Sequence, residues 1–474
     1  MDRSVGKNYF YNLIYQITLI LIPLITIPYI SEVLGPTGIG INSFTNSIAQ
    51  YFILAGTLGM TIYGNRTIAT VRNDKEKCRS IFWEIFILQL VTCVASFSIY
   101  ILIFGFNNKY SLYYLMQSMY ILAAAVDITW YFMGVEDFKK ASLRSTFVKL
   151  VSVVAMFIFV KDFDDLWKYI LINSLSMLIG QIIMWFYVDK SFLKIKYLKN
   201  IHILTHLKPA LQLFIPQVAI QVYMVLDKTM TGVLANETEV GFYDNSQKII
   251  RLSLAIVTSL GMVMLPKIAN LYSSGELNKM KEHLQKAFRF MTMISLPLIF
   301  GLIGISDNFV PWFFGKEFLK VINLMKLSSI MILVIAWGNV FGTQYILALG
   351  KMKEYTTSVV IGAIINFSLN LVLIPRLLSL GAVIATLCAE IIIAGIQLYY
   401  SKEIVTKEWF YCGWKYWISS VIMFLGVYFI GNLVNSNLVG TCIQIITGAV
   451  IYFVMLIIFK DKILIDLFHK VKLK

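Results

Sequence analysis

Apolar and polar positions along this chain fall in long blocks rather than in the short periods of a soluble fold. Apolar runs recur from end to end, most of them near the roughly 20 residues that cross a bilayer as a helix. They predict spans at about 9–30, 39–63, 81–104, 111–133, 146–160, 166–188, 209–231, 246–268, 288–310, 322–347, 355–375, 380–400, 414–434 and 437–459. A membrane barrel would instead show ten-residue segments of strict alternation, so these continuous runs are helices. The expected fold is all-α: a polytopic membrane protein with about 14 transmembrane helices.

The residues between the runs carry an internal repeat with an offset near 200. VLGPTGIGINSFTNSIAQYFILAGTLGM (Val33–Met60) and VLANETEVGFYDNSQKIIRLSLAIVTSLGM (Val233–Met262) share Val-Leu, a glycine at Gly40 or Gly241, Asn-Ser and Leu-Gly-Met in order. The offset covers six spans, an even number, so both copies would run in the same direction across the membrane. This predicts two parallel, pseudo-repeated six-helix lobes with substrate between them, followed by two additional helices. The plan is an N-terminal lobe over 1–207, a C-terminal lobe over 208–408, and spans thirteen and fourteen with a basic cytoplasmic tail over 409–474. Pro23 and Pro28 interrupt the lead helix of the first copy and Pro216 that of the second. Broken lead helices point to a transporter site, although proline is also simply frequent in membrane helices.

Composition adds that 58% of the 474 residues are hydrophobic and 14% charged, which excludes a soluble domain. The net charge of +15 is explained by topology. With the N-terminus inside, 30 Lys and Arg fall on inside segments and six outside, so both termini are expected in the cytoplasm. Nucleic-acid binding is then unnecessary. Outside loops are too short to hold a folded domain, which argues against glycan polymerases and ligases that work through one. The five cysteines and four histidines show no disulfide or metal spacing, and His202 and His206 lack an accompanying carboxylate motif. Neither a phosphate-binding GxxxxGK[ST] loop nor a nucleophile–base pair is readable. The expectation is a non-enzyme without cofactor.

Charge inside a membrane span is expensive and marks a pathway or site. Lys248, Arg251, Ala255, Ser259 and Met262 share one helical stripe, a wall open to a bulky anion. Gln217, Gln221 and Lys228 share a face of span seven, beside Asp227. The matching first-half helices carry Asn12, Gln16, Asn42, Asn46 and Gln50. Amides suit sugar hydroxyls and Lys or Arg suits phosphate, so the substrate-binding set is Arg251, Lys248, Lys228, Asp227, Gln217, Gln221, Asn46 and Gln50. The alternatives are that Lys248 and Arg251 snorkel to headgroups and that Asp227 and Lys228 neutralise each other. Glu390, in mid-span, and the similarly deep Asp127 and Lys149 are candidates for ion coupling or intramembrane pairing. Glu84 and Lys326 lie nearer span ends.

PYISEVLGPTGIGINSFTNSIAQYF (Pro28–Phe52), YGNRTIATVRNDKEK (Tyr63–Lys77) and DITWYFMGVEDFKKASLRSTFVK (Asp127–Lys149) together resemble the polysaccharide repeat-unit flippases of O-antigen, capsule and teichoic type. These belong to the multidrug/oligosaccharidyl-lipid/polysaccharide exporter superfamily. LDKTMTGVLANETEVGFYDNSQKI (Leu226–Ile249) resembles the same family's second-half signature. The resemblance implies flipping of an undecaprenyl-pyrophosphate-linked oligosaccharide between leaflets of a bacterial plasma membrane, by alternating access and with Na⁺ or H⁺ coupling. It implies as partners that lipid-linked oligosaccharide, the bilayer, and polysaccharide polymerase and assembly proteins. By motif it places Arg66 and Arg72 at the cytoplasmic mouth, with Asp127, Asp227, Lys228, Lys248 and Arg251 near the cavity. A lipid II flippase, a multidrug cation antiporter and a membrane glycan polymerase or ligase are the rival readings.

Overall fold

The computed structural model describes residues 3–106, 108–193, 202–411, 413–461 and 463–464. Their contacts form two compact units, Met1–Thr229 and Met230–Lys474, a division that falls inside the seventh expected span rather than at the 207/208 boundary before it. In the first unit lie α1 (Arg3–Thr57), α2 (Met60–Val71), α3 (Lys75–Phe104), α4 (Ser111–Ala125), α5 (Thr129–Gly134), α6 (Phe138–Phe159), α7 (Leu166–Trp185) and most of α8 (Leu204–Leu234). In the second lie α9 (Glu237–Ser273), α10 (Leu277–Phe313), α11 (Lys320–Ser329), α12 (Met331–Gly338), α13 (Met352–Leu377), α14 (Ser379–Tyr400), α15 (Lys407–Tyr411), α16 (Trp414–Gly431) and α17 (Leu438–Ile458). Among the described residues, 11 helical stretches are long and apolar enough to cross a bilayer. The protein is an all-helical, multi-pass membrane protein.

Every expected span coincides with helix, and three joints differ from expectation. The linker expected between spans one and two is itself helical, and α1 departs from helical geometry only at Gly35, with φ 60° and ψ 179°. Only glycine takes that conformation without strain, and Pro36 then opens the next helical run with its φ already set. Ala235 stands 200 positions later, and the chain breaks there again. Asn236 restarts it by capping α9, its side chain accepting from the Glu239 N–H at 3.0 Å. The expected tenth span divides into α11, α12 and a π-helix over Asn339–Leu347.

The third joint is buried in the first unit. The expected fourth span, 111–133, breaks at Val126–Ile128 into α4 and α5. A helix broken in hydrocarbon leaves carbonyls that no water can reach, so side chains must satisfy them. Gln89 Nε2 on α3 donates to the carbonyls of Ala124 at 2.7 Å and Asp127 at 2.9 Å. The Trp185 indole on α7 donates to Val126 O at 2.9 Å, and the Trp130 indole is shared between Asp127 O at 3.0 Å and Gln89 Oε1 at 3.1 Å. Packing holds those donors in place: fully buried Phe82, Trp130 and Phe132 join Met60, Ile68 and Met184 in one apolar cluster. Gly64 makes room for it, because a Cβ there would lie 2.8 Å from the Trp130 ring.

Interhelical hydrogen bonds do comparable work in the second unit, where lipid offers no hydrophobic drive for helices to associate. Buried Gln247 donates to Ser328 Oγ at 3.0 Å and Gln397 to Ser358 Oγ at 3.1 Å. Glu239 accepts both Lys320 Nζ, at 2.6 and 2.7 Å, and Ser379 Oγ at 2.6 Å, tying the ends of α9, α11 and α14 together. The last helix, α17, bonds to α10 through the Tyr452 hydroxyl, which donates to Met293 O at 2.6 Å, and through Thr441 Oγ1, which accepts the Trp312 indole at 2.8 Å.

Replacing Gln89 by Leu, at similar side-chain volume, should remove the side-chain donor to Ala124 O, one of the two donors to Asp127 O and one of the two acceptors of the Trp130 indole. The expected loss is about 0.5–1.5 kcal/mol for each hydrogen bond removed. It should appear as a clear fall in the melting temperature of the detergent-purified protein, and an unchanged melting temperature would show that the break does not depend on Gln89.

Candidate functional site

The joint at Val126–Ile128 opens onto a cavity of about 550 Å³ in the first unit. Each surrounding helix contributes polar side chains: Gln50 and Tyr51 from α1, Tyr120 from α4, Asp127 from the break, Gln181 from α7 and Gln221 from α8. Ile53, Leu54, Ile62, Met177 and Val225 complete the wall. Three of the expected site residues, Gln50, Gln221 and Asp127, therefore meet around one space. Tyr51 is held in position at its hydroxyl by Thr229 at 3.2 Å, which in turn bonds Ser47 at 2.8 Å. Buried Asp227 lies close enough for its charge to act on the Tyr51 phenol.

Asp127 serves the local fold as well as the cavity. Its Oδ1 accepts the Thr129 N–H at 2.8 Å and the Thr129 hydroxyl at 2.7 Å, ordering the first turn of α5. The cation whose charge acts on it is Arg144, just over one turn before the expected Lys149 on α6. Arg144 is buried and donates to Gln181 Oε1 at 3.3 Å, so a cation sits directly behind the cavity wall. Asn46 stands apart from the opening. Its amide donates to Gln117 Oε1 at 3.0 Å, and Gln117, fully buried, donates back to Asn42 Oδ1 at 3.1 Å and Thr45 Oγ1 at 3.2 Å. That α1–α4 amide network reaches the cavity through Gln50, whose Nε2 lies 3.5 Å from Asn46 Oδ1.

A second opening of about 360 Å³ is lined by Tyr63, Arg66, Thr67, Thr70, Pro209 and Gln212. Arg66, expected at the cytoplasmic mouth, lines it. Arg72 instead pairs with Glu136 at 2.6 Å. Both partners of that pair are exposed, where an ion pair contributes little. Glu84, placed by the sequence near a span end, is buried against His206 at 2.7 Å.

In the second unit Lys248 binds Asp244 at 2.9 Å and Asn245 Oδ1 at 3.0 Å, so its charge is answered within its own helix. Arg251, on the next turn of α9, is exposed. Glu390 is half-buried on α14, where its charge acts on Tyr355 of α13. Lys326, expected as an intramembrane ion, pairs with Asp307 at 2.8 Å. Lys228 is half-buried on α8, while the side chains of Gln217, Asn12 and Gln16 lie outside the described residues.

Sequence reasoning missed Tyr51, Tyr120, Arg144, Gln181 and the burial of His206. Gln181 carried a readable signal, an amide set between the apolar stretches Met177–Gly180 and Ile182–Phe186. Asp244 carried one too, standing four residues before Lys248.

A family model described as polysaccharide biosynthesis protein matches residues 5–272, more than half of the chain. Among curated proteins, a putative O-antigen transporter of Escherichia coli (strain K12) is 24% identical over 411 residues, covering 84% of this chain and 97% of that protein. A probable low-salt glycan biosynthesis flippase, Agl15, of Haloferax volcanii is 21% identical over 239 residues, covering 48% and 49%. Among solved structures, the lipid II flippase MurJ in an inward closed conformation superposes with TM-score 0.76 at 18% identity, over 95% of this chain and 100% of that one. An inward-facing multidrug resistance transporter of the MATE family and MOP superfamily gives TM-score 0.62 at 12% identity, over 81% and 97%. The chain belongs to the polysaccharide biosynthesis protein family, and its fold is similar to those of these two solved structures.

Proposed function

We propose that the protein flips an undecaprenyl-pyrophosphate-linked oligosaccharide repeat unit from the inner to the outer leaflet of a bacterial plasma membrane by alternating access, with both termini in the cytoplasm. The observation that carries this reading is the composition of the first unit's cavity: three glutamines and two tyrosines among apolar walls, on membrane helices. Amides and phenols donate to and accept from sugar hydroxyls, and the aliphatic walls exclude competing water. The cavity's carboxylate is engaged by Thr129 and faces the charge of Arg144, so it makes a poor trap for a cationic drug. That favours a glycan over the cargo of a multidrug antiporter. The relative described as an O-antigen transporter, similar over most of its length, supports a polysaccharide repeat unit as cargo.

The pyrophosphate falls to cations with donors to spare. Arg251 presents its planar fork at the surface of an apolar helix, and Arg66 presents another at the opening beside Tyr63. Lys248 contributes less net charge because Asp244 shares it. Transport then requires each of two states to stabilise the same ligand differently, as any population shift does.

Gln50→Leu combined with Gln221→Leu should lower surface polysaccharide tenfold or more while lipid-linked repeat units accumulate in the membrane, because two sugar-facing amides are lost at similar volume. Arg251→Ala should have the same effect. Both are read by polysaccharide immunoblot and lipid extraction alongside the membrane level of the protein. Normal polysaccharide in either strain refutes the corresponding assignment, and cell lysis in place of polysaccharide loss would move the substrate to a cell-wall precursor.

Lys248 should behave differently. Lys248→Met leaves the buried Asp244 carboxylate without its ion-pair partner and should reduce the yield of folded protein, and adding Asp244→Asn should restore it, with a coupling of about 1–3 kcal/mol. A Lys248→Met protein that folds normally yet fails to transport would return Lys248 to the substrate site.

A further inference from the structure

Behind the opening at Arg66, three titratable side chains from three helices meet in one chain of hydrogen bonds. Tyr63 on α2 places its hydroxyl 2.7 Å from His206 Nδ1 on α8, and His206 Nε2 lies 2.7 Å from Glu84 Oε2 on α3. His206 and Glu84 are both buried. The other carboxylate oxygen of Glu84 accepts the Ser80 hydroxyl at 3.4 Å and the His202 N–H at 3.5 Å. The remaining charged groups on these elements are directed elsewhere. Arg79 of α3 pairs with Glu76 and lies over the Phe192 ring, while Arg66, His202 and Lys208 are exposed. A buried imidazole is thus held between one carboxylate and one phenol, and Tyr63 also lines the opening of about 360 Å³.

We infer that Tyr63, His206 and Glu84 form a proton-binding site, and that it passes the protonation state of His206 to the adjacent opening through the Tyr63 hydroxyl. Imidazole is the side chain built to exchange a proton in the physiological range. Both of its states are fully bonded in this geometry. In the neutral ring Nε2–H donates to Glu84 and Nδ1 accepts the Tyr63 hydroxyl. A proton taken from water onto Nδ1 creates an imidazolium whose charge Glu84 balances, and both ring N–H groups then donate. Nδ1–H now donates to the Tyr63 oxygen, so the hydroxyl hydrogen of Tyr63 must turn to another acceptor, and the space it faces is the opening beside Arg66. An anion held by Arg66 would accept it. Proton uptake and anion binding therefore favour each other, and the coupling is reciprocal. Because Tyr63, Glu84 and His206 lie on α2, α3 and α8, the same proton strengthens the bond between α8 and the other two helices.

The assignment of this proton as the coupling ion rests on the flippase reading, whereas the site itself does not, and the test separates them. The chain holds four histidines, so ¹⁵N-histidine-labelled protein in detergent gives few ring signals, and His206 is identified by the signal lost in His206→Gln. On acidification the His206 ring should pass from the Nε2–H tautomer to imidazolium. Glu84→Gln, which removes the balancing charge, should weaken proton uptake tenfold or more, and Tyr63→Phe, which keeps the ring and its ion pair, should shift it measurably. A ring that stays neutral until the protein unfolds, or a titration indifferent to both variants, overturns the site. In cells, collapse of the transmembrane pH difference by nigericin should lower repeat-unit display several-fold in the wild type but not further in His206→Gln. A wild type indifferent to nigericin overturns the coupling role even where the ring titrates.

Discussion

Backbone hydrogen bonding in a medium without water governs this molecule. The first unit breaks a helix in the middle of a predicted span, and the break survives because Gln89, Trp130 and Trp185 supply donors to its carbonyls. Those three residues in turn need the aromatic cluster around Phe82 to hold their rings and amide in register. The cavity, the position of Asp127 and the turn into α5 all follow from that one satisfied break. A fold built on hydrophobic burial alone would have no reason to put a glutamine and two indoles around an interrupted helix.

Polar side chains divide into those that hold helices together and those that line the cavity. Asn46, Gln117, Gln247 and Gln397 spend their hydrogen bonds on neighbouring helices. Gln50, Gln221, Tyr51 and Tyr120 face the cavity. The charges divide in the same way. Lys248, Lys326 and Arg72 each have a carboxylate partner, whereas Arg66 and Arg251 present their guanidinium groups at exposed positions. Charge density along the sequence is therefore a poor guide to charge available to a ligand.

Much of the architecture was legible in the sequence, because apolar runs of membrane length admit only one kind of element. The helix breaks at Gly35 and Ala235 lie inside the two stretches that the repeat aligns, although the sequence reading named neither residue. The break at Val126–Ile128 was not legible, since neither glycine nor proline marks it and the donors that permit it lie far away on α3 and α7. For the same reason the sequence offered Lys149 as the partner of Asp127, while tertiary packing brings the charge of Arg144. His206, read in the sequence only as lacking an accompanying carboxylate motif, turns inward to the carboxylate of Glu84 on another helix. A pattern of residues shows which face of a helix is apolar; it does not show which partner crosses from another helix to meet a polar one.

The breaks at Gly35 and Ala235 are also built by different means. At Gly35 the backbone takes a left-handed conformation that only glycine adopts without strain, and Pro36 fixes the φ that follows. At Ala235–Asn236 the helix that follows is fixed at its start instead: Asn236 caps α9 through the Glu239 N–H, and the Glu239 carboxylate accepts from Lys320 of α11 and Ser379 of α14. One break is thus made by a backbone conformation open to a single residue type, and the other by a capped helix start tied to two neighbouring helices.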